Sequence, residues 1–278
     1  MVTGWSVRRR SALAVSAVVV AAAAGCGGSS KAAKSGLAAD AADAAGKTVS
    51  FEGDAVAEGM TGKLTGVLDF SGDVRADFTI TIAASDDPKA PPRMRTVMDG
   101  EAEYRSAEAY TNARPQAAKA LGGKHWVKSE ASSVLHLNTS GAVLGAVTLE
   151  TDTDLVEALA AVFESGVLKP DGAGHYAGTV DAGTLGASTF DAAHRAAITS
   201  AMRRTSVTAE KLEVWLGADG LPAEIKYVDD VAAGKKPSHA DLRFHDWGKP
   251  VTVASPPASD TIGFDDFLTA LKTTIAAG

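Results

Sequence analysis

From Val74 to Ile82 the chain alternates without a fault. Val74, Ala76, Phe78, Ile80 and Ile82 are apolar, and Arg75, Asp77, Thr79 and Thr81 stand between them. A period of two sends successive side chains to opposite faces of a strand, so this segment reads as a strand with one wet and one buried face. Such strands belong to antiparallel sheets that bury one side. That excludes a helical bundle or an all-parallel plan here. The neighbouring segments agree. Thr48–Glu58 places Val49 and Phe51 on one face, and Lys63–Phe70 does the same with Leu64, Leu68 and Phe70. Gly59 to Gly62 and Ser71-Gly72-Asp73 supply turns, so the three strands form a meander.

Asp86–Pro92, with two acids and three prolines, breaks the pattern. Arg93–Met98 and Ala102–Thr111 then read as a hairpin around Asp99-Gly100. His125–Lys128 is a short strand, and residues 131–149 show no clean period. Thr151 and Asp154 open a helix with Leu155, Val156, Leu159, Val162 and Phe163 in one stripe, ending at Ser165-Gly166. Gly174–Val180 is a strand. A helix over roughly 188–203 carries Phe190, Ala193, Ala197 and Ala201 on one side. Leu212–Leu216 and Leu221–Val228 pair across Gly217–Gly220, and Ala240–Trp247 and Val251–Val253 are the last strands. A closing helix has Phe264, Phe267, Leu268, Leu271 and Ile275 on one face. The plan is α+β, with about ten mostly antiparallel strands in a curved sheet and three or four helices gathered on one face.

The first residues carry a different message. Arg8-Arg9-Arg10 precede an apolar run over residues 11–24, then Gly25 and Cys26. A basic start, a short apolar stretch and small residues at the cut describe a secretory signal peptide over residues 1–25. The run falls short of the roughly 20 apolar residues that span a bilayer. Cys26 is the only cysteine, so it has no disulfide partner within the chain. Ala23-Ala24-Gly25-Cys26 resembles the lipobox of bacterial lipoproteins, with Ala23 where such boxes usually carry leucine. That resemblance implies lipidation of Cys26 and membrane attachment through the acyl chains, which contribute about 0.8 kcal/mol per buried methylene. An ordinary secretory signal with an incidental cysteine is the alternative. Residues 26–46 read as the lipidated cysteine and its tether, flexible over the Gly-, Ser- and Lys-containing residues 27–36 and favouring a helix on propensity over the Ala-rich residues 37–45. Residues 47–278 form the folded domain.

Cleavage before Cys26 removes three arginines and no acid, taking the net charge from −7 to −10. Such a balance excludes a nucleic-acid surface and general adhesion to anionic lipid by charge alone. No pair among His125, His136, His175, His194, His239 and His245 has metal-site spacing. Neither a Gly-x-Ser-x-Gly elbow nor a phosphate loop occurs. His194 reads as the edge of a core, and His245 and Asp246 point to opposite faces of a strand. Asp229-Asp230 reads as a strand-end turn, Asp265-Asp266 as the first turn of a helix, and Arg203-Arg204 as the C-terminal turn of another, with an anionic headgroup as its other use. Trp126, Trp215 and Trp247 read as strand residues that pack in the core or belt the strand ends, with a sugar-stacking surface as the alternative. An enzyme is the weakest functional class.

Three stretches carry a family likeness. Glu103-Tyr104-Arg105 to Ala109-Tyr110 leads to Lys124-His125-Trp126-Val127-Lys128. His175-Tyr176-Ala177-Gly178-Thr179-Val180-Asp181 follows, and then Glu213-Val214-Trp215-Leu216 with Gly217-Ala218-Asp219-Gly220-Leu221-Pro222. In this order behind a lipobox, they resemble the actinobacterial LppX/LprG lipoproteins, similar in fold to the LolA and LolB carriers. The resemblance covers roughly residues 45–270. It implies a curved antiparallel half-barrel with helices covering its concave face, an apolar cavity between them, and an acylated lipid or lipoprotein as cargo. It brings no cofactor and no catalytic residue.

Lipid-binding candidates come from apolar faces: Leu64, Leu68, Phe70, Phe78, Ile80 and Ile82 from the sheet, and Leu155, Leu159 and Phe163 from a helix. A filled core would use the same residues. The expected protein is a monomer on the extracytoplasmic face of the cell membrane, with membrane lipid and an acylated ligand as partners and no nucleic acid. A sensor or adaptor lipoprotein on the same scaffold is the second reading.

Overall fold

The computed structural model describes residues 48–57, 60–69, 71, 75–85, 93–100, 102–111, 115–130 and 162–276. Their elements run β1 (Thr48–Ala57), β2 (Met60–Asp69), β3 (Arg75–Ser85), β4 (Arg93–Asp99), β5 (Ala102–Ser106), α1 (Glu108–Thr111), α2 (Pro115–Leu121) and β6 (Trp126–Glu130). Then come β7 (Lys169–Pro170), β8 (His175–Asp181), α3 (Ala182–Ala187), α4 (Ala192–Thr205), β9 (Val207–Leu216), β10 (Pro222–Val231), β11 (His239–His245), β12 (Thr261–Gly263) and α5 (Phe264–Ala276). All twelve strands join one sheet in the order β12-β6-β5-β4-β3-β2-β1-β11-β10-β9-β8-β7. Every pairing is antiparallel except that of β12 with β6. The sheet is open, since β12 and β7 end it without meeting.

Register decides which side chains share a face. Phe244, Phe51, Gly66, Phe78, Thr96, Arg105 and Val127 lie in one cross-strand row from β11 to β6. Directly paired residues of a pleated sheet project to the same side. Phe244, Phe51 and Phe78 belong to a core cluster with Ala197, Ile198, Ala201 and Met202 of α4. Val127, at the other end of the row, packs with Ala117, Ala120, Leu121, Phe267 and Leu271 of α2 and α5. Both helical groups therefore sit on the same face, at opposite ends. Gly66 lets the row close up between them, because a Cβ there would lie 2.5 Å from the Phe78 Cβ and 2.9 Å from the Phe51 ring.

Local signals explain the helices. Asp191 caps α4 by accepting from the His194 N–H at 2.8 Å, and Ser206 ends it with φ 61°. Asp181 opens α3 with a reciprocal capping box, each of Asp181 and Thr184 accepting from the other's N–H at 2.8 Å. The Thr184 backbone bond, aided by its hydroxyl, holds the Asp181 carboxyl below its ordinary range.

Several expectations change. The strand expected over Ala102–Thr111 stops at Ser106, and Glu108–Thr111 turns helical. Val251–Val253 is no strand; Val253 instead packs on Val97 and Tyr104 on the opposite face of the sheet. Met60 already pairs with Ala57, so the first turn is shorter than the glycines suggest. Ala193 is exposed, and α4 buries Ile198 and Met202 beside Ala197 and Ala201. Ile275, placed in the stripe of α5, is 54% exposed. Trp247 lies beyond β11, packed on Phe244, and its Nε1 donates to Pro222 O at 2.9 Å. Asp246 has also left the strand with φ 61°, which brings its carboxylate within 3.1 Å of His245 Nδ1 instead of across the sheet.

Candidate functional site

The helix-side face of the sheet has three zones. Over β8–β11 and β1 it is filled. Ile198, Leu212, Val214 and Val180 are fully buried there, and Leu185, Phe190, Val162 and Phe163 close over them. The Phe163 and Tyr176 rings meet edge-on at 4.7 Å. Each fully buried aliphatic side chain contributes roughly 2 kcal/mol or more from burial alone.

Over β2–β4 the same face changes character. Ile80 pairs with Met94, Ala76 with Met98, and Leu68 with Ala76. Leu68, Ile80 and Met98 pack against the filled cluster but stay half-buried, as do Ile82 and Met94. Regular register from Ile80 sets Ile82 opposite Gly62 on this face, and the β-bulge comes only beyond it, between Gly62 and Thr61. The result is a broken strip of five large aliphatic and thioether side chains, left half-buried around Leu64, Ala76 and Phe78, which the same face buries.

The third zone is polar. Continuing the row of Leu68, Ala76 and Met98, register brings in Glu103 and then Ser129; the next row brings Thr96 and Arg105. Glu103 is 1% exposed and accepts from Arg105 Nε at 2.6 Å. Its second oxygen is buried and accepts no hydrogen bond from the described residues. Tyr110 stands nearby with its ring 5.1 Å from that of Phe267. Burial pushes its phenol above the ordinary range; the Arg105 charge opposes this and the Glu103 charge adds to it. The apolar strip thus runs into an ion pair of buried Glu103 and part-exposed Arg105, and beyond the pair α2 and α5 close the face again.

Of the nine nominated residues, Leu64, Phe78 and Phe163 are built into the packed cluster. Leu68, Ile80 and Ile82 lie in the half-buried strip. Phe70, Leu155 and Leu159 fall outside the described residues, as does Cys26. Met94, Met98, Glu103 and Arg105 were missed. Met94 and Met98 could have been found from the period of two in Arg93–Met98, which places both on one face with Thr96.

A second buried acid appears where a turn was expected. Asp229 lies inside β10, 5% exposed, opposite the fully buried Glu210 of β9. Burial pushes the Asp229 carboxyl up to about 6; a hydrogen bond with Glu210 opposes this, and the Asp230 charge adds to it. Apolar Ala197, Ile198, Ala201 and Met202 are the α4 side chains buried in this half of the core.

Elsewhere polar side chains pair with one another. On the opposite face Asp69 binds Arg75 and Ser71; burial pushes its carboxyl up, but the Ser71 and Arg75 bonds outweigh this and hold it low. His125 Nδ1 lies 2.7 Å from Asp260 Oδ1, and His194 Nδ1 lies 2.9 Å from Asp191 Oδ2. Among the described residues no three His, Cys, Asp or Glu side chains gather as a metal site, and no helix is long and apolar enough to cross a membrane.

No family model matches the chain. It is 25% identical over 219 residues to an uncharacterized 31.2 kDa protein in the rplA–rplJ intergenic region of Streptomyces griseus, covering 75% of this chain and 71% of that one. Its structure is similar to that of LprF from Mycobacterium bovis, with 13% identity, a TM-score of 0.43, and coverage of 82% of this chain and 98% of that one. It is also similar to a LolA superfamily protein from Nitrosomonas europaea, with 11% identity, a TM-score of 0.26, and coverage of 82% and 96%.

Proposed function

We propose that this protein is an envelope lipoprotein, held by acylated Cys26 on the extracytoplasmic face of the membrane, that carries an acylated lipid or lipoprotein against its sheet. The observation that carries the reading is the strip of Leu68, Ile80, Ile82, Met94 and Met98, half-buried between two packed ends of one face. A hydrocarbon chain gains from apolar burial at about 25 cal/mol per Å² and needs no directional partner. A strip of aliphatic side chains offers that and little else. The Glu103–Arg105 pair at its margin suits the polar end of such a ligand, where hydroxyls or esters need donors and acceptors. The sheet then serves as a half-barrel that, among the described residues, is only partly covered over β2–β4. The ordered motifs that resemble the LppX/LprG lipoproteins support the same assignment. The reading requires binding and release and no bond-making step.

Native mass spectrometry of the protein from its own host tests it. A bound lipid of defined mass is expected, and Ile80→Trp with Ile82→Trp should expel it by filling the strip. Ligand-free protein, or lipid retained undiminished by both variants, would reject the carrier in favour of an adaptor that binds protein partners.

A further inference from the structure

We propose that the outer side of α4, with the loop between β10 and β11, docks on the phosphate-bearing surface of an anionic phospholipid bilayer. This rests on the reading that Cys26 holds the domain at a membrane.

The helix has two unlike sides. Ala197, Ile198, Ala201 and Met202 face the sheet and are buried. Arg195, Ala196, Thr199, Ser200, Arg203 and Arg204 line an open hollow of about 410 Å³ on the other side. Arg195 is braced along the helix by donating to Phe190 O, and Arg204 by donating from Nη1 to Ser200 Oγ at 3.0 Å. A guanidinium carries five N–H donors in a fixed fork suited to phosphate oxygens.

Basic charge gathers along this side of the helix and beyond its C-terminus. The Ala232 N–H donates to Ser206 O at 3.0 Å, so the loop bearing exposed Lys235 and Lys236 starts at the C-terminus of α4. Residues 192–206 and 232–238 together hold five basic side chains and no acid, in a chain with 34 acids and 27 bases. The helix dipole accounts for Arg203 and Arg204 in the last turn. It does not account for Arg195, which lies in the first turn, where a positive charge is disfavoured. Net charge excludes general adhesion to anionic lipid, but a local face is not bound by that average. The 21 residues between Cys26 and Thr48 reach at most about 75 Å when fully extended, so a lipid anchor leaves this face within reach of a bilayer.

The test uses the full chain reconstituted into vesicles, with a benzophenone side chain in place of exposed Ala196 and, as control, in place of exposed Thr65 on the opposite face of the sheet. Illumination should yield lipid adducts at position 196 and not at 65, in vesicles containing phosphatidylglycerol and not in pure phosphatidylcholine. Raised salt should suppress them, and Arg203→Gln and Arg204→Gln should each lower the yield by about fivefold. Circular dichroism confirms that these surface variants fold. Equal adducts in both vesicle types, no effect of the arginine variants, equal yield at 65, adducts to protein alone, or suppression by inorganic phosphate at an ionic strength where sodium chloride has no effect would each overturn the proposal. Flotation of the same samples reads the anchor separately. A chain that does not float yet gives the anionic-lipid adduct keeps the docking face and loses the anchor; one that floats without the adduct does the reverse.

Discussion

The sheet's helix-side face is built twice from one alternating pattern, with two outcomes. Over β8–β11 small Ala197 and Ala201 bring α4 close, and Ile198 and Met202 fill what remains. Over β2–β4 the side chains are as large and as apolar, yet Leu68, Ile80, Ile82, Met94 and Met98 stay half-buried. Alternation fixes which residues turn inward; the element standing opposite decides whether they become core or contact surface. A packed interior resists change, whereas a part-open strip can exchange water for a ligand at little structural cost.

The contrast can be broken by substitution. Ile198→Ala should cost about 3–4 kcal/mol in chemical denaturation, because a fully enclosed site cannot collapse around the loss. Ile80→Ala should cost about 1 kcal/mol less than that or lower still, since the side chain is already partly exposed; equal costs would mean that the two zones are packed alike. The Asp229–Glu210 pair sharpens the point inside the filled half. With its folded pKa raised from 3.8 to about 6, Asp229 binds a proton more tightly folded than unfolded. Stability from this group is therefore present below about pH 4, is lost as pH rises through about 6, and stays lost above. Asp229→Asn should flatten that slope in melting curves taken from pH 4 to 8, raising stability near neutrality by up to about 3 kcal/mol. A variant with the wild-type slope would refute the buried acid. Glu103→Gln should cost about 2 kcal/mol by uncoupling Arg105, less than a fully buried pair because the arginine is a third exposed. If the ion pair serves ligand recognition, the same change lowers lipid occupancy in native mass spectra, whereas Ile198→Ala leaves occupancy of the folded fraction intact.

Sequence and fold agree where one local signal dominates. The strict alternation of Arg75–Ile82 gave its strand and its faces correctly, and the stripe of the closing helix gave Phe267 and Leu271 as buried. The helix at Pro115 escaped notice although its marks were present. Proline occupies its first position, good helix formers follow, and Gly122 and Gly123 take φ of 59° and 82° after its end. Other features were out of reach. Asp229-Asp230 looks like a turn because two adjacent acids seldom enter a strand; only the register between β9 and β10, across the hairpin, reveals Glu210 as the partner. The parallel pairing of β12 with β6 depends on a return path from residue 130 to residue 261 that no local pattern encodes. The strip itself was half visible. Its residues could be named, but their incomplete burial depends on what packs opposite.

The two outermost strands have a consequence for life in a crowded envelope. β7 is two residues long and contains Pro170, which has no N–H to offer, and β12 is three residues long before α5 begins. A sheet this wide would otherwise present long rows of unsatisfied amides and carbonyls at its margins, ready to template a stranger's backbone. Stunted borders deny such a foothold, so the molecule can leave apolar side chains uncovered on one face without inviting growth into fibrils.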